Sequence, residues 1–254
     1  MAFNEIIKSS STRIKTGVTL LLALLVIGYI DSFFIMWLLF GILLVFSINE
    51  SMKMYKMQSD SIYFYTGVVW FLAYFYPYPE DLVFLLAIVY ASLIAYKKEI
   101  DRKLFLPLLY PTASFLFLLA LYNEYGVMSL LWLLVIVAGA DIGAYFVGKS
   151  MGKTKFCETS PNKTIEGVIG GVVVATIFGL IFSLDNISTL GAIVISVAVS
   201  LSSVFGDLFE SYLKRLSGIK DSGNILPGHG GILDRTDGYL FGGVLMLMIL
   251  RAII

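Results

Sequence analysis

Long apolar runs separated by short charged connections constrain this chain more than any other feature. A bilayer core takes about 20 apolar residues per helix, with a range of roughly 17 to 25. Runs of this kind lie near 14–30, 33–47, 61–77, 82–96, 104–122, 127–148, 166–184, 187–206 and 238–254. The first two are short and meet at Asp31-Ser32, so they form either a hairpin or one long helix. The fifth holds Pro107 and Pro111, which predicts a kink. Hydrophobic residues make up 58% of the chain and charged residues 14%, more apolar surface than a soluble fold of this size can hide. The expectation is an all-α polytopic membrane protein with about nine transmembrane helices.

Charge placement sets the sidedness. With the N-terminus in the cytoplasm, the N-terminal segment and even-numbered loops carry every Lys and Arg except Arg251. These are Lys8, Arg13, Lys15, Lys53, Lys56, Lys97, Lys98, Arg102, Lys103, Lys149, Lys153, Lys155, Lys163, Lys214, Arg215, Lys220 and Arg235. The opposite loops carry Asp31, Glu80, Asp81, Glu124 and Asp185. This is the positive-inside pattern. Merging the first two spans would strand Lys8, Arg13 and Lys15 across the membrane from the rest, so the hairpin is kept. The N-terminus is then expected in the cytoplasm and the C-terminus outside. The 18 basic residues balance 18 acidic ones, so no basic field exists to hold nucleic acid. One cysteine, Cys157, and one histidine, His229, exclude an internal disulfide framework and a histidine-cluster metal site.

The chain divides by content. Residues 1–125 read as a transmembrane scaffold of spans 1–5. Residues 126–254 read as a catalytic transmembrane region of spans 6–9, with cytoplasmic loops at 149–165 and 207–237. Asp141 lies inside span 6 beside the small residues Gly139, Ala140, Gly143 and Ala144. An acid at that depth faces a polar cavity or a partner, and the alternative is a packing face with one capped carboxylate. Loop 149–165 has four lysines with Ser160, Pro161 and Thr164, suited to phosphates or serving only as positive-inside anchors. In span 8, Ser200, Ser203, Asp207, Glu210, Ser211 and Lys214 share an arc of about 100° at helical spacing. That stripe starts inside the membrane and reads as a cavity wall.

Loop 207–237 concentrates three features. Gly228, Gly230 and Gly231 flank His229 and can present backbone N–H groups to an anion. Lys214, Arg215, Lys220 and Arg235 supply charge for phosphate oxygens. Asp234 and Asp237 share one face if span 9 starts here. Magnesium takes hard oxygen ligands, commonly one or two carboxylates with phosphates and waters. The bland reading is a flexible glycine loop with Asp234 or Asp237 as a helix N-cap.

The run Ser211-x-x-Lys214-Arg215, Lys220-Asp221-x-Gly223, Pro227-Gly228-His229-Gly230-Gly231-x-x-Asp234-Arg235-x-Asp237 resembles the signature of phosphatidate cytidylyltransferases, or CDP-diacylglycerol synthases. The resemblance extends to Gly206-Asp207, to Asp141 and to Ser160-Pro161-Asn162-Lys163-Thr164-x-Glu166-Gly167, and so covers roughly the C-terminal half. It implies transfer of the cytidylyl group of CTP to phosphatidic acid with Mg2+, and in some relatives K+ beside it. It assigns Asp207 and Asp234 as metal ligands. Asp141, Lys214, Arg215, Lys220, Asp221 and Asp237 become candidate catalytic groups. Ser160, Lys163, Thr164, Ser211, Gly228, His229, Gly230, Gly231 and Arg235 become candidate substrate contacts. Asp221 has the alternative of simply pairing with Lys220. The expected partners are CTP, phosphatidic acid and the bilayer itself, with a homodimer left open. The expected location is a prokaryotic inner membrane with the site facing the cytoplasm. Alternatives are a relative acting on an ether-lipid or polyprenyl phosphate and, in a different class, an ion-coupled transporter. The transporter would show inverted repeats and a shared midplane site.

Overall fold

A computed structural model describes residues 2–97 and 99–254, with side chains from Lys15 onward. The charges of Lys8, Arg13 and Lys98 therefore lie outside the described residues. The elements in order are α1 (Ala2–Ile30), α2 (Phe33–Met54), α3 (Ser61–Ala73), α4 (Leu82–Tyr96), the single turn α5 (Phe105–Pro107), α6 (Ser114–Met151), α7 (Ile165–Ile181), α8 (Thr189–Ser217) and α9 (Leu233–Ile253). Among the described residues no β-strand forms, only isolated bridges from Lys155 to Thr164 and from Leu226 to Gly230.

Five helical stretches are long and apolar enough to cross a membrane: Phe33–Met54, Pro79–Tyr96, Arg102–Met151, Thr189–Ser217 and Leu233–Ile253. The chain is a multi-pass helical membrane protein. Lys15–Ile30, Ser61–Ala73 and Ile165–Ile181 are apolar but shorter. The break expected at Asp31-Ser32 is present, with Asp31 at φ 45° between α1 and α2. The kink expected in span 5 is a π-helical stretch, Leu108–Ala113, with a non-helical Tyr110 and a cis Tyr110-Pro111 bond. Helix α6 runs through both the fifth and sixth apolar runs, and its axis is interrupted at Gly126, whose φ of 71° belongs to the left-handed region.

Packing is densest between consecutive helices of the C-terminal half. Small residues let the backbones of α6 and α7 meet. A Cβ on Gly171 would stand 2.6 Å from the Ala140 carbonyl oxygen, and one on Gly143 would stand 2.8 Å from that of Gly170. Trp132, fully buried, donates its indole N–H to the Gly179 carbonyl at 2.7 Å and fixes α6 on α7. Gly206 gives α8 a close approach to the Asp237 backbone of α9. Ile195, Val199, Leu240, Met246 and Leu247 fill the seam behind it.

The polar contacts sort into two ends. At one end Thr16 meets Pro227, Glu50 meets Ser222 and Ile232, and Lys163 meets Asp207. At the other end the Tyr122 hydroxyl donates to Asp31 at 2.9 Å, Asn123 donates to Pro77, and Arg251 sits between Glu80 and Glu124. Arg251, the one basic residue outside the positive-inside pattern, is thus matched by two of the acids assigned to that side.

Candidate functional site

The first end of the bundle carries the site. Helix α8 is capped at its start by the Ser188 hydroxyl, which accepts from the Gly191 N–H at 3.1 Å. It ends at Gly218, φ 78°, where the Gly218 and Ile219 N–H groups return to the Arg215 and Lys214 carbonyls. Between these limits the serine-to-lysine stripe faces inward: Ser200, Ser203 and Glu210 are buried. Its polar tip projects from the apolar length of the helix and meets loops 152–164 and 218–232.

Loop 152–164 is fastened at both sides. The Thr164 hydroxyl caps α7 by accepting from the Gly167 N–H at 3.1 Å. Glu166 accepts from the Lys153 and Thr154 N–H groups at 3.1 Å and from the Thr154 hydroxyl at 2.8 Å. Ser160 closes a turn through its carbonyl, which accepts from the Lys163 N–H at 3.0 Å. The turn sends Lys163 Nζ to Asp207 Oδ2 at 2.6 Å, and the Ser211 hydroxyl donates to the other oxygen of Asp207 at 3.2 Å. Asp207 keeps 38% of its side chain exposed, so it remains open to a ligand.

Loop 218–232 closes on Asp234. One oxygen of Asp234 accepts from Lys214 Nζ at 2.8 Å. The other accepts from the Ser222 N–H at 2.9 Å and the Gly231 N–H at 2.8 Å. Its side chain is only 7% exposed. Asp234 thus ties loop 218–232 to the start of α9 and is the buried partner of a cation; it caps no N–H of α9 itself, so the N-cap alternative offered by the sequence is not met at this residue. Gly228 and Gly230 take φ of 78° and 86°, and the turn between them is closed by His229 N–H to Leu226 O and Leu226 N–H to Gly230 O, both 2.9 Å. Arg235 Nε holds the turn by donating to the His229 carbonyl at 2.8 Å. His229 has its Nδ1 buried with no hydrogen-bond partner among the described residues. A cleft of about 880 Å³ opens here, lined by Lys220, Asp221, Gly228, His229, Gly230 and Arg235 among others. That volume lies within the range of small-molecule sites.

Below the cleft lies a group of acids. Asp141 is exposed on α6, and the charges that act on it most are Asp237, Asp207, Lys163 and Arg235. Glu210 faces Asp237, has Lys214 Nζ at 3.4 Å, and has neither carboxylate oxygen satisfied by a hydrogen bond although it is fully buried. Among the described residues no three His, Cys, Asp or Glu side chains stand at ligating distance from one point. The donor set nonetheless suits a hard cation. Magnesium needs one or two carboxylates and completes its shell with phosphate and water. Asp207 is half-open, and the buried Glu210 carboxylate, 3.4 Å from Lys214 Nζ, has no hydrogen-bond partner among the described residues.

The structure brings together nearly all the residues singled out in the sequence. Arg215 stands apart: it is exposed, beside Lys214 in sequence but turned away from the group, and makes no ion pair among the described residues. Lys220 and Asp221 both line the cleft and make no ion pair with each other among those residues. Three functional-site residues escaped the sequence reading. Glu210 was seen only as part of a stripe. Glu166 enters the sequence reading only as part of the resemblance, with no role, and in the structure anchors the lysine loop. Glu50 lies in the half read as scaffold. The apolar run stops near residue 47, which leaves Glu50 beyond span 2, whereas α2 continues to Met54. An acid near the end of a membrane span was the available signal.

Comparison with known proteins gives a consistent picture. Residues 11–253 match the cytidylyltransferase family. A phosphatidate cytidylyltransferase of Helicobacter pylori strain J99 is 41% identical over 249 residues, covering 97% of this chain and 93% of that protein. One from Bacillus subtilis strain 168 is 49% identical over 123 residues, covering 47% of this chain and 46% of that protein.

Proposed function

The chain belongs to the cytidylyltransferase family, and from that premise we propose that it transfers the cytidylyl group of CTP to phosphatidic acid, releasing pyrophosphate and leaving CDP-diacylglycerol in the membrane. The observation that carries this reading is the cleft itself. It is lined by Lys220, Arg235 and a positive-φ glycine turn, and sits where apolar helices end. A soluble polyanion and a lipid phosphate can meet only at such a boundary.

The lipid phosphate is already an anionic nucleophile near neutral pH, since a phosphomonoester has a second pKa of roughly 6. No strong base is required. An oxygen of the lipid phosphate attacks the α-phosphorus of CTP, and the bond from that phosphorus to the pyrophosphate oxygen breaks. The difficulty is electrostatic: two anions approach, and charge grows on the leaving pyrophosphate. Lys220 and Arg235 line the cleft and offset that charge, with the Gly228 and Gly230 N–H groups beside them, those of His229 and Gly231 being used within the loop. Lys163 and Lys214 hold Asp207 and Asp234 in place. We assign Asp207 and Asp234 as the residues that hold Mg2+, with Asp207 the more accessible and Asp141 and Asp237 adjoining. A divalent ion held there would supply positive charge against the phosphates of CTP and the lipid. K+ as a companion rests on the family resemblance.

The full topology belongs to this reading too: about nine passes, the N-terminus and the site in the cytoplasm, the C-terminus outside, in a bacterial inner membrane. Its supports are the charge pattern and the sorting of polar contacts into two ends.

The test is turnover of radiolabelled CTP by purified protein. Label should enter the organic phase only when phosphatidic acid is present, and chelation of divalent cations should stop it. Label transferred equally well to a polyprenyl phosphate would move the reading to the related lipid transferase. No transfer to any lipid phosphate would refute it.

A further inference from the structure

Glu50, a residue of the N-terminal half, reaches the site. It is fully buried at the end of α2. Its Oε1 accepts from the Ile232 N–H at 2.9 Å, and its Oε2 accepts from the Leu233 N–H at 2.8 Å and the Ser222 hydroxyl at 2.9 Å. These partners lie more than 170 positions away in sequence. Two of them are among the first N–H groups of α9, which have no acceptor within their own helix. Helix α9 has no side-chain cap of its own at Ile232. A carboxylate from another helix supplies it, with negative charge at the positive end of the helix dipole.

The fit is close on all sides. A Cβ on Gly223 or on Gly231 would stand 2.5 Å from the Glu50 carboxylate. Gly223 also lines the cleft, so Glu50 lies directly behind its wall. Ser222 is gripped twice, its N–H by Asp234 and its hydroxyl by Glu50. At the other end of the loop, Gly231 to Leu233 are gripped by the same two acids. The carboxylates of α2 and α9 together clamp both ends of segment 222–233, which carries the glycine turn and directly follows Lys220 and Asp221.

Three donors converge on two oxygens, which only an acceptor-only group can satisfy. Glutamine in this place would set its –NH2 against at least one N–H.

We propose that Glu50 is a positioning residue for the cytidylyl transfer: from the end of α2 it holds loop 222–233, and through it Asp234 and the cleft wall, in the reactive arrangement. The role rests on the functional reading above, but the clamp itself does not. Its purpose is to make the first-half helices part of the site rather than a passive support.

The experiment compares Glu50→Gln and Glu50→Ala with the wild-type protein in two measurements. Hydrogen exchange over peptides spanning 219–235 should accelerate in Glu50→Ala and less so in Glu50→Gln, while peptides from α6 and α7 keep their protection. In the folded protein, kcat/KM for CTP should fall by about 10- to 100-fold in Glu50→Ala, the scale expected when reactive groups move by about 1 Å. Glu50→Gln should recover part of the loss. If Glu50→Ala does not fold, Glu50→Gln decides alone, by the same two measurements. Wild-type exchange in the loop overturns the clamp. Faster exchange with wild-type kcat and KM makes Glu50 a stabilising group only and overturns the positioning role. A wild-type protein that transfers no cytidylyl group defeats the functional reading instead, and the exchange measurement still decides the clamp.

Discussion

Asp207 and Asp234 carry the same family assignment but stand in different physical situations. Asp234 is buried and accepts from a lysine and two backbone N–H groups, whereas Asp207 is 38% exposed and shares a lysine at 2.6 Å. Removing one partner of a buried ion pair costs about 3–5 kcal/mol, because the other charge is left uncompensated. Asp234→Ala should therefore lose both turnover and stability, seen as a lower melting temperature in detergent. Asp207→Ala should lose turnover by orders of magnitude with a nearly unchanged melting temperature. Equal melting losses in the two variants would remove the distinction. Asp141 offers a finer test. Asp141 is exposed on α6 rather than packed in a core, and Asp237, Asp207, Lys163 and Arg235 act on its charge. Asp141→Asn keeps the shape and removes the charge, so kcat should fall sharply with expression unchanged. Were Asp141 only a packing residue, the amide would be neutral or better, since it is cheaper to bury than a carboxylate. Wild-type kinetics for this variant would take α6 out of the site.

Helices reveal how far the sequence could be read. Each described helix overlaps an apolar run, because lipid demands continuous apolar surface and internally satisfied backbone, although the fifth and sixth runs share α6 and five stretches alone are long enough to cross. The runs misplaced the ends. Helix α2 runs on to Met54, α8 to Ser217, and α9 begins at Leu233 rather than near 238, because a helix leaving the bilayer needs no apolar residues. The error had a consequence at α2, since Glu50 fell into a presumed loop. The site residues of α8, α9 and loop 218–232 were legible because they lie close in sequence. The Glu50 and Glu166 contacts were not, since a hydrogen bond to a backbone N–H leaves no residue pattern at the accepting end. The same packing that hides these contacts is testable. Gly171 touches the Ala140 carbonyl across the α6–α7 seam, one residue from Asp141. A methyl group there meets backbone, which cannot give cheaply, and overpacking costs about 1–3 kcal/mol. Gly171→Ala should lower the melting temperature and also reduce kcat, because separating α6 from α7 separates Asp141 from Lys163. Gly126→Ala has open space around it and only a strained φ, worth about 1–3 kcal/mol. It should lower the melting temperature alone, since it belongs to the opposite end of the bundle.

At the scale of the whole molecule the two ends of the bundle differ in chemistry, and that difference fixes what sidedness must mean. Lysines and the cleft gather at the end where α2 finishes and α9 begins, while Arg251, Glu80, Glu124 and the Asp31–Tyr122 contact gather at the other. Positive-inside charge and cytoplasmic CTP then make the same demand on orientation. Single cysteines in a Cys157→Ser background read it directly. Ser222 is an unsuitable reporter, being 2% exposed and bonded to Glu50. Asn224, exposed and on the cleft, serves instead, and Asp185, exposed between α7 and α8, reports the other face. In intact cells an impermeant thiol reagent should label Asp185→Cys and spare Asn224→Cys, and both should be labelled once the membrane is opened. CTP should slow labelling of Asn224→Cys in opened membranes if the nucleotide enters the cleft. Labelling of Asn224→Cys from outside would put the cleft on the face without CTP, and the orientation and the proposed reaction would fall together.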